Sequence, residues 1–175
     1  MSISTDTPDR TDTTSIADEF KDTMASLCAP VTVITAMTED TPVGATVSAF
    51  GSLSLTPPMI TVALDRRSRV LTAVTATGRL GVNILGEHDE ELARIFATSG
   101  IDRFADAPWR MDSGLPRLID APGWLGCDVA RIVGGGDHVI ILGQVRTVEN
   151  RPARTLSYSS RRFGIHTPLP ASARP

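Results

Sequence analysis

From Val31 to Met37 the chain reads VTVITAM, an apolar, β-branched run, and VGATVS follows from Val43 to Ser48. Two such runs separated by a turn containing Glu39-Asp40-Thr41-Pro42 predict a β-hairpin. Four further stretches carry the strand pattern: Met59 to Leu64, Leu80 to Leu85, Trp124 to Val133 and His138 to Val148. The last two are joined across Gly134-Gly135-Gly136-Asp137, so antiparallel pairing is expected to dominate.

Helical spacing is confined to three places. Ser15-Ile16-Ala17-Asp18 reads as a capping-box-like start, and Ile16, Phe20, Met24 and Leu27 then share one face until Pro30. This helix is expected to cover a face or an end of the sheet. A second helix is predicted over about 69 to 77, ending at Gly78, and a third over about 88 to 98. Asp89, Glu90 and Glu91 fall in the first turn of the third, where the helix dipole favours them, and read as a solvated face. Six strands, few helices and no regular strand-helix alternation predict a mainly β fold, a closed or partly closed antiparallel barrel. Residues 1–14 and 167–175 lack apolar periodicity and read as tails, leaving one domain over 15–166. The proline-containing excursion from Trp109 to Gly123 is expected to serve as a lid or, with Trp124, as a dimer contact.

Composition narrows the function classes. With 175 residues, 41% hydrophobic, 21% charged and a net charge of −3, the chain has the make-up of an ordinary globular domain with no electrostatic footprint for nucleic acid. Cys28 and Cys127 stand far apart with no CxxC and no nearby histidine pair, so no metal site and no disulfide is expected, and both read as buried thiols. The N-terminus lacks the order of a signal peptide and no apolar run reaches about 18 residues, which makes the cytoplasm the default location and membrane insertion unexpected.

Three segments carry candidate chemistry. Asp65-Arg66-Arg67-Ser68-Arg69 places three guanidiniums and a hydroxyl at the start of the predicted second helix, a combination that suits a phosphate. Thr46 to Leu55 is a run of small and hydroxyl residues, over which a backbone can approach a flat heterocycle. In Gly136-Asp137-His138 a carboxylate precedes a histidine that leads a strand, where it could orient or charge the imidazole. Asp102 and Arg103 read as a surface pair. Nucleotide motifs of the GxGxxG and GxxxxGK[ST] kinds are missing, as are HExxH and GxSxG, so any nucleotide chemistry needs another binding mode.

Taken together, PVGATVSAFGSLSLTPPMITVALDRRSR, GRLGVNIL, DRFAD and GGGDHVIILGQV resemble, in that order, the flavin reductase family that supplies the reductase component of two-component flavin monooxygenases. The resemblance runs from about Phe20 to Gly164. It implies an FMN-binding split β-barrel, Greek-key-like and commonly a homodimer, that oxidises NADH or NADPH and passes reduced FMN or FAD to a partner monooxygenase. By position it implies flavin-ring and ribityl contacts at Thr46, Ser48, Ala49 and Ser52, and a ribityl-phosphate end at Ala63, Asp65, Arg66, Ser68 and Arg69. Gly136, Asp137 and His138 match the family's GDH motif, with His138 implied as the nicotinamide contact and catalytic residue. Phe163 stands where a tyrosine is common, and Ser48 where asparagine is frequent; Phe163 keeps a ring that can stack. Two other functions suit parts of the pattern: a flavin- or haem-binding split-barrel protein without turnover, and an FMN-dependent oxidase of the pyridoxamine phosphate type.

Overall fold

The computed structural model describes residues 12–169. In chain order the elements begin with α1 (Asp12–Ser26), β1 (Ala29–Pro30), β2 (Thr32–Thr38), β3 (Thr41–Val47), β4 (Phe50–Leu55) and β5 (Pro58–Asp65). They continue with α2 (Arg69–Thr77), β6 (Arg79–Ile84), α3 (Glu90–Ala97), β7 (Trp109–Asp112) and β8 (Leu115–Leu118). The last four are β9 (Gly123–Gly135), β10 (His138–Asn150), β11 (Leu156–Ser159) and β12 (Arg162–Ile165). Of the tails read from the sequence, residues 1–11 and 170–175 lie outside the described residues.

Seven strands form one antiparallel sheet in the order β3-β2-β6-β9-β10-β5-β4. Strand β5 explains why it curls. Ile60, Val62 and Leu64 are buried while Thr61, Ala63 and Asp65 between them are half-buried, so one face of the strand is apolar. That face meets Ile34 of β2, Leu80 and Val82 of β6, Ile141 of β10 and Val70, Ala73 and Val74 of α2 in a single core. Burying an aliphatic side chain of this size stabilises by roughly 1.5–3 kcal/mol, so wrapping the sheet around one core is strongly favoured. The two end strands, β3 and β4, are consecutive in the chain, and the amide of Ala63 donates to the carbonyl of Ala49 at 2.9 Å where they meet. The barrel expected from the strand pattern is therefore present, with one more strand than anticipated. Strand β4 hides in the Thr46 to Leu55 run because its serines and glycine interrupt the apolar residues and none of its residues is fully buried.

A second core lies outside the barrel. β2 is buried on both faces: Ile34 and Ala36 point into the barrel, and Val33 points outward with Val31 and Leu85 toward Phe96 of α3 and Leu118 of β8. The Trp109 to Gly123 excursion is not a lid but a docked hairpin, β7 with β8. The hydroxyl of Thr35 donates to the Pro116 carbonyl at 2.6 Å, and the amide of Leu118 donates to Oδ1 of Asn83 at 2.8 Å. Arg117, only 4% exposed, is held by Asp112 at 2.9 Å and by Glu149 at 2.5 Å. Trp124 is 2% exposed within its own chain and so is not available to a dimer contact. It fills the space above Gly81, where an added Cβ would stand 2.5 Å from the indole.

The N-terminal helix departs from expectation. It starts at Asp12 rather than Ser15, and Ile16, Phe20 and Met24 are 63%, 63% and 48% exposed, so it does not cover the sheet. Its C-terminal end is taken by the β11–β12 hairpin instead: the amide of Ser160 donates to the Ala25 carbonyl at 2.6 Å, and Arg161 pairs with Asp22 at 2.7 Å. Cys28, just beyond the helix, is exposed and not buried; Cys127 is buried in the barrel, and burial pushes its thiol up to about 12. Asp89 is likewise not on a solvated face. Its Oδ2 accepts from the Gly86 amide at 2.7 Å, and burial raises its pKa, while Glu90 and Glu91 are exposed. No helix among the described residues is long and apolar enough to cross a membrane.

Candidate functional site

The cationic loop and the glycine turn meet. β5 and β10 pair antiparallel with His138 opposite Asp65 and Ile140 opposite Ala63, which brings the end of β5 beside the start of β10. The loop after β5 is then fastened to the turn before β10. The amide of Arg66 donates to the Asp137 carbonyl at 3.1 Å, and its Nε donates to the Gly136 carbonyl at 2.9 Å. Gly136 takes the turn at φ 61°, a conformation that glycine adopts without steric cost. A side chain at Gly134 would stand 2.9 Å from the Arg66 guanidinium, so the bare turn also makes room for that arginine.

Within the loop the three arginines do different work. Arg67 is committed to Asp65: its Nε lies 3.1 Å from Oδ1, its Nη2 2.8 Å from Oδ2, and its amide donates to Oδ1 at 2.7 Å. These bonds hold the Asp65 carboxyl well below the usual carboxylate range. Arg66 is spent on the glycine turn. Arg69, the first residue of α2, pairs with no carboxylate among the described residues and lines a cleft of about 950 Å³. Ser68 caps α2 by position and lines the same cleft, yet its side chain makes no capping bond. A free hydroxyl, a free guanidinium and a helix N-terminus thus face one space, which favours an anion.

His138 is part-exposed and its Nδ1 lies 2.8 Å from Oδ1 of Asp137. The hydrogen bond and the charge of the imidazole lower the Asp137 pKa. An ionised carboxylate beside Nδ1 fixes the ring and leaves Nε2 for a ligand. Residues paired across antiparallel strands share a face, so His138, Asp65, Ala63 and Ile140 line one outer surface, with Ala49 at its edge through the Ala63 bond.

Other residues singled out in the sequence are placed differently. The hydroxyl of Thr46 donates to the Ala93 carbonyl of α3 at 2.7 Å. Ser48 and Ala49 are exposed at the β3–β4 junction, where the Ser48 carbonyl accepts from the Phe50 amide at 2.9 Å. Ser52 is exposed but pairs with the inward-facing Ile60, which puts it on the opposite face from Ala63. Phe163 sits on the separate β1-β11-β12 sheet, edge-on to Tyr158 at 5.0 Å, with the Arg94 guanidinium 5.1 Å above its ring.

Arg103 was misread from the sequence. It makes no pair with Asp102, whose Oδ1 instead accepts from the Phe104 amide at 3.0 Å. Arg103 donates to the Thr98 carbonyl at 2.7 Å and to the Gly44 carbonyl at 2.5 Å, and it lines the same cleft as Arg69. Burial, and then the charge of Arg69, lower its pKa. Adjacency suggested a pair, whereas a signal was available in its setting, a lone cation in a long connection after an amphipathic helix.

The family described as "Flavin reductase like domain" matches residues 24–166. The chain belongs to the flavin reductase family. Among its relatives, "Probable flavin reductase" of Rhizobium meliloti (strain 1021) is 37% identical over 85% of this chain, and the chain spans about half, 48%, of that protein. The reductase component of 4-nitrophenol 4-monooxygenase/4-nitrocatechol 2-monooxygenase from Rhodococcus opacus is 37% identical, covering 86% of this chain and 81% of that one. Among solved structures, nitrilotriacetate monooxygenase component B from Mycobacterium thermoresistibile superposes with a TM-score of 0.85 at 29% identity, covering 93% of this chain and 94% of the other. The NADH:FAD oxidoreductase SgcE6 of Streptomyces globisporus C-1027, in complex with NAD and FAD fragments, gives 0.81 at 28% identity, covering 91% and 96%. Membership of this flavin reductase family makes the protein an oxidoreductase on the split-barrel fold of its neighbours.

Proposed function

We propose that this flavin reductase is an NAD(P)H:flavin oxidoreductase that oxidises NADH or NADPH, reduces FMN or FAD, and supplies the reduced flavin to a partner monooxygenase. The observation that carries this reading is the junction of the cationic loop with the glycine turn, Arg66 to Gly136 and Asp137, which sets an anion site beside a carboxylate-oriented histidine. The residues suit a flavin phosphate: Ser68 has an uncommitted hydroxyl and Arg69 no carboxylate partner among the described residues.

In this reading Ser48 and Ala49 at the β3–β4 junction, with Ala63, would hold the flavin ring, and Asp65, Arg66, Ser68 and Arg69 would form the ribityl-phosphate end. Asp65 and Arg66 act through loop geometry, because both are bonded within the protein. Strand β4 is an edge of the sheet, so backbone amides between Ser48 and Leu53 that face away from β5, apart from that of Phe50, would be available to a flavin-ring carbonyl. His138, held by Asp137 and followed from Gly136, positions the nicotinamide. Bound flavin supplies the two-electron acceptor, and the protein's task is to stack the two rings at about 3–3.5 Å. Thr46 ties β3 to α3 behind the ring seat, whereas Ser52, on the other face of β4, and Phe163, on the separate sheet, are left without a direct ring contact.

A homodimer belongs to the same proposal. Exposed Phe20 and Met24 on α1, Leu53 and Leu55 on β4, and Ile132 and Ile140 near the site leave apolar surface that a second copy would cover. The test is oxidation of NADH and of NADPH by the purified protein with FMN or FAD. Oxidation that requires both protein and flavin is expected, and oxidation at the protein-free rate contradicts the reading.

A further inference from the structure

The cleft beside Arg69 is larger than a phosphate site requires. It runs along Thr41 to Ala45 of β3, between the loop ending at Arg69 and the Ser99 to Phe104 segment, with a volume of about 950 Å³. None of Thr46, Ser48, Ala49, Ser52 or Ala63 lines it, so it lies on the phosphate side of the proposed ring seat. A mononucleotide with its ring at the β3–β4 junction and its phosphate at Ser68 and Arg69 ends where the cleft begins.

The far wall is built and charged. Arg103 is locked by its bonds to Gly44 and Thr98, and it feels the charge of Arg69 across the cleft. Neither guanidinium pairs with a carboxylate among the described residues. Both line one cleft, close enough for the charge of Arg69 to disfavour that of Arg103, and an anion bound there relieves the repulsion; a pyrophosphate offers a separate phosphate group to each guanidinium. Past the arginines, Pro42 and Ile101 add apolar surface of the kind that receives a flat base, backed by the buried ring of Phe104.

We propose that the flavin this protein selects is the dinucleotide FAD, its pyrophosphate between Arg69 and Arg103 and its adenosine half in the cleft between Thr41–Ala45 and Ser99–Phe104. The inference rests on the flavin reading above and adds the choice of flavin to it. Ile101 is half-exposed in the cleft and is no part of the ring seat, so a carboxylate placed there acts on the adenosine half alone.

The experiment is equilibrium binding by calorimetry of FAD, FMN and ADP to the wild-type protein and to Ile101→Glu. FAD is expected to bind at least about tenfold more tightly than FMN, ADP to compete with FAD, and Ile101→Glu to weaken FAD about tenfold while FMN binding stays unchanged. Unchanged FMN affinity also certifies that the variant is folded. Equal affinities for FAD and FMN, with no competition by ADP, overturn the choice of flavin while the flavin reading stands. Failure to bind either flavin overturns both.

Discussion

Arg66 donates from Nε to the carbonyl of Gly136 at 2.9 Å, fastening the cationic loop to a glycine turn 70 positions later in the chain. With the Arg66 amide bond to Asp137 and the pairing of β5 with β10, this bond fixes the spacing between the cationic loop and His138. The proposed roles of both segments depend on it. Loosening the turn would move the histidine relative to the bound phosphate, and small displacements of reacting groups are costly.

His138 is the first consequence to check. His138→Ala should raise the KM for the pyridine nucleotide or slow flavin reduction by on the order of tenfold or more, while flavin affinity holds. Asp137→Asn keeps the shape but removes the ionised partner of Nδ1 and should have a smaller effect in the same direction. Steady-state kinetics for both variants identical to wild type would remove the nicotinamide role.

The three loop arginines should not be equivalent. Arg69→Ala removes a guanidinium without a protein partner and should weaken flavin binding by about 1.5–3 kcal/mol, with a loss that shrinks as salt rises. Arg67→Ala removes one already engaged by Asp65 and should cost less. Fluorescence titration of flavin at low and high ionic strength measures both, and equal losses for the two variants contradict the assignment.

Asp65 provides a pH signature. Its bonds from Arg67 hold the carboxyl below its unfolded value of about 3.9, so it stabilises the fold above that value and its contribution is lost as pH falls through the folded pKa. Asp65→Asn should melt below wild type near neutral pH, by a gap that is constant down to about pH 5 and narrows below about pH 4. Thermal melts across that range test it; a gap that widens toward acid would refute it.

The cysteines should divide sharply. Cys28 is exposed, whereas Cys127 lies in the barrel core with its thiol pushed up to about 12. A thiol reagent should modify Cys28 alone in the native protein and both after unfolding, since the thiolate is the reactive form. Native labelling of Cys127 at a comparable rate would contradict its placement.

Much of this was legible in the sequence because it is local. The VTVITAM run, the Gly78 helix stop and the strand that begins at His138 each declare themselves within about ten residues. The order of four segments indicated the family, and the Asp137–His138 pairing was readable from adjacency. What was hidden depends on tertiary partners. Strand β4 has no fully buried residue to announce it, and α1 has an apolar face that the described residues leave uncovered. Thr46 reads as a ligand hydroxyl until Ala93 is seen to accept from it. Arg103 reads as a surface charge until the fold carries it to Gly44, 59 positions away.

The most direct test is anaerobic single-turnover mixing of the flavin-loaded protein with NADH and with NADH deuterated at C4 of the nicotinamide. Flavin bleaching should match nicotinamide oxidation one for one, run far faster than without protein, and slow with deuterium, as hydride transfer between stacked rings requires. Bleaching no faster than in free solution would contradict the account.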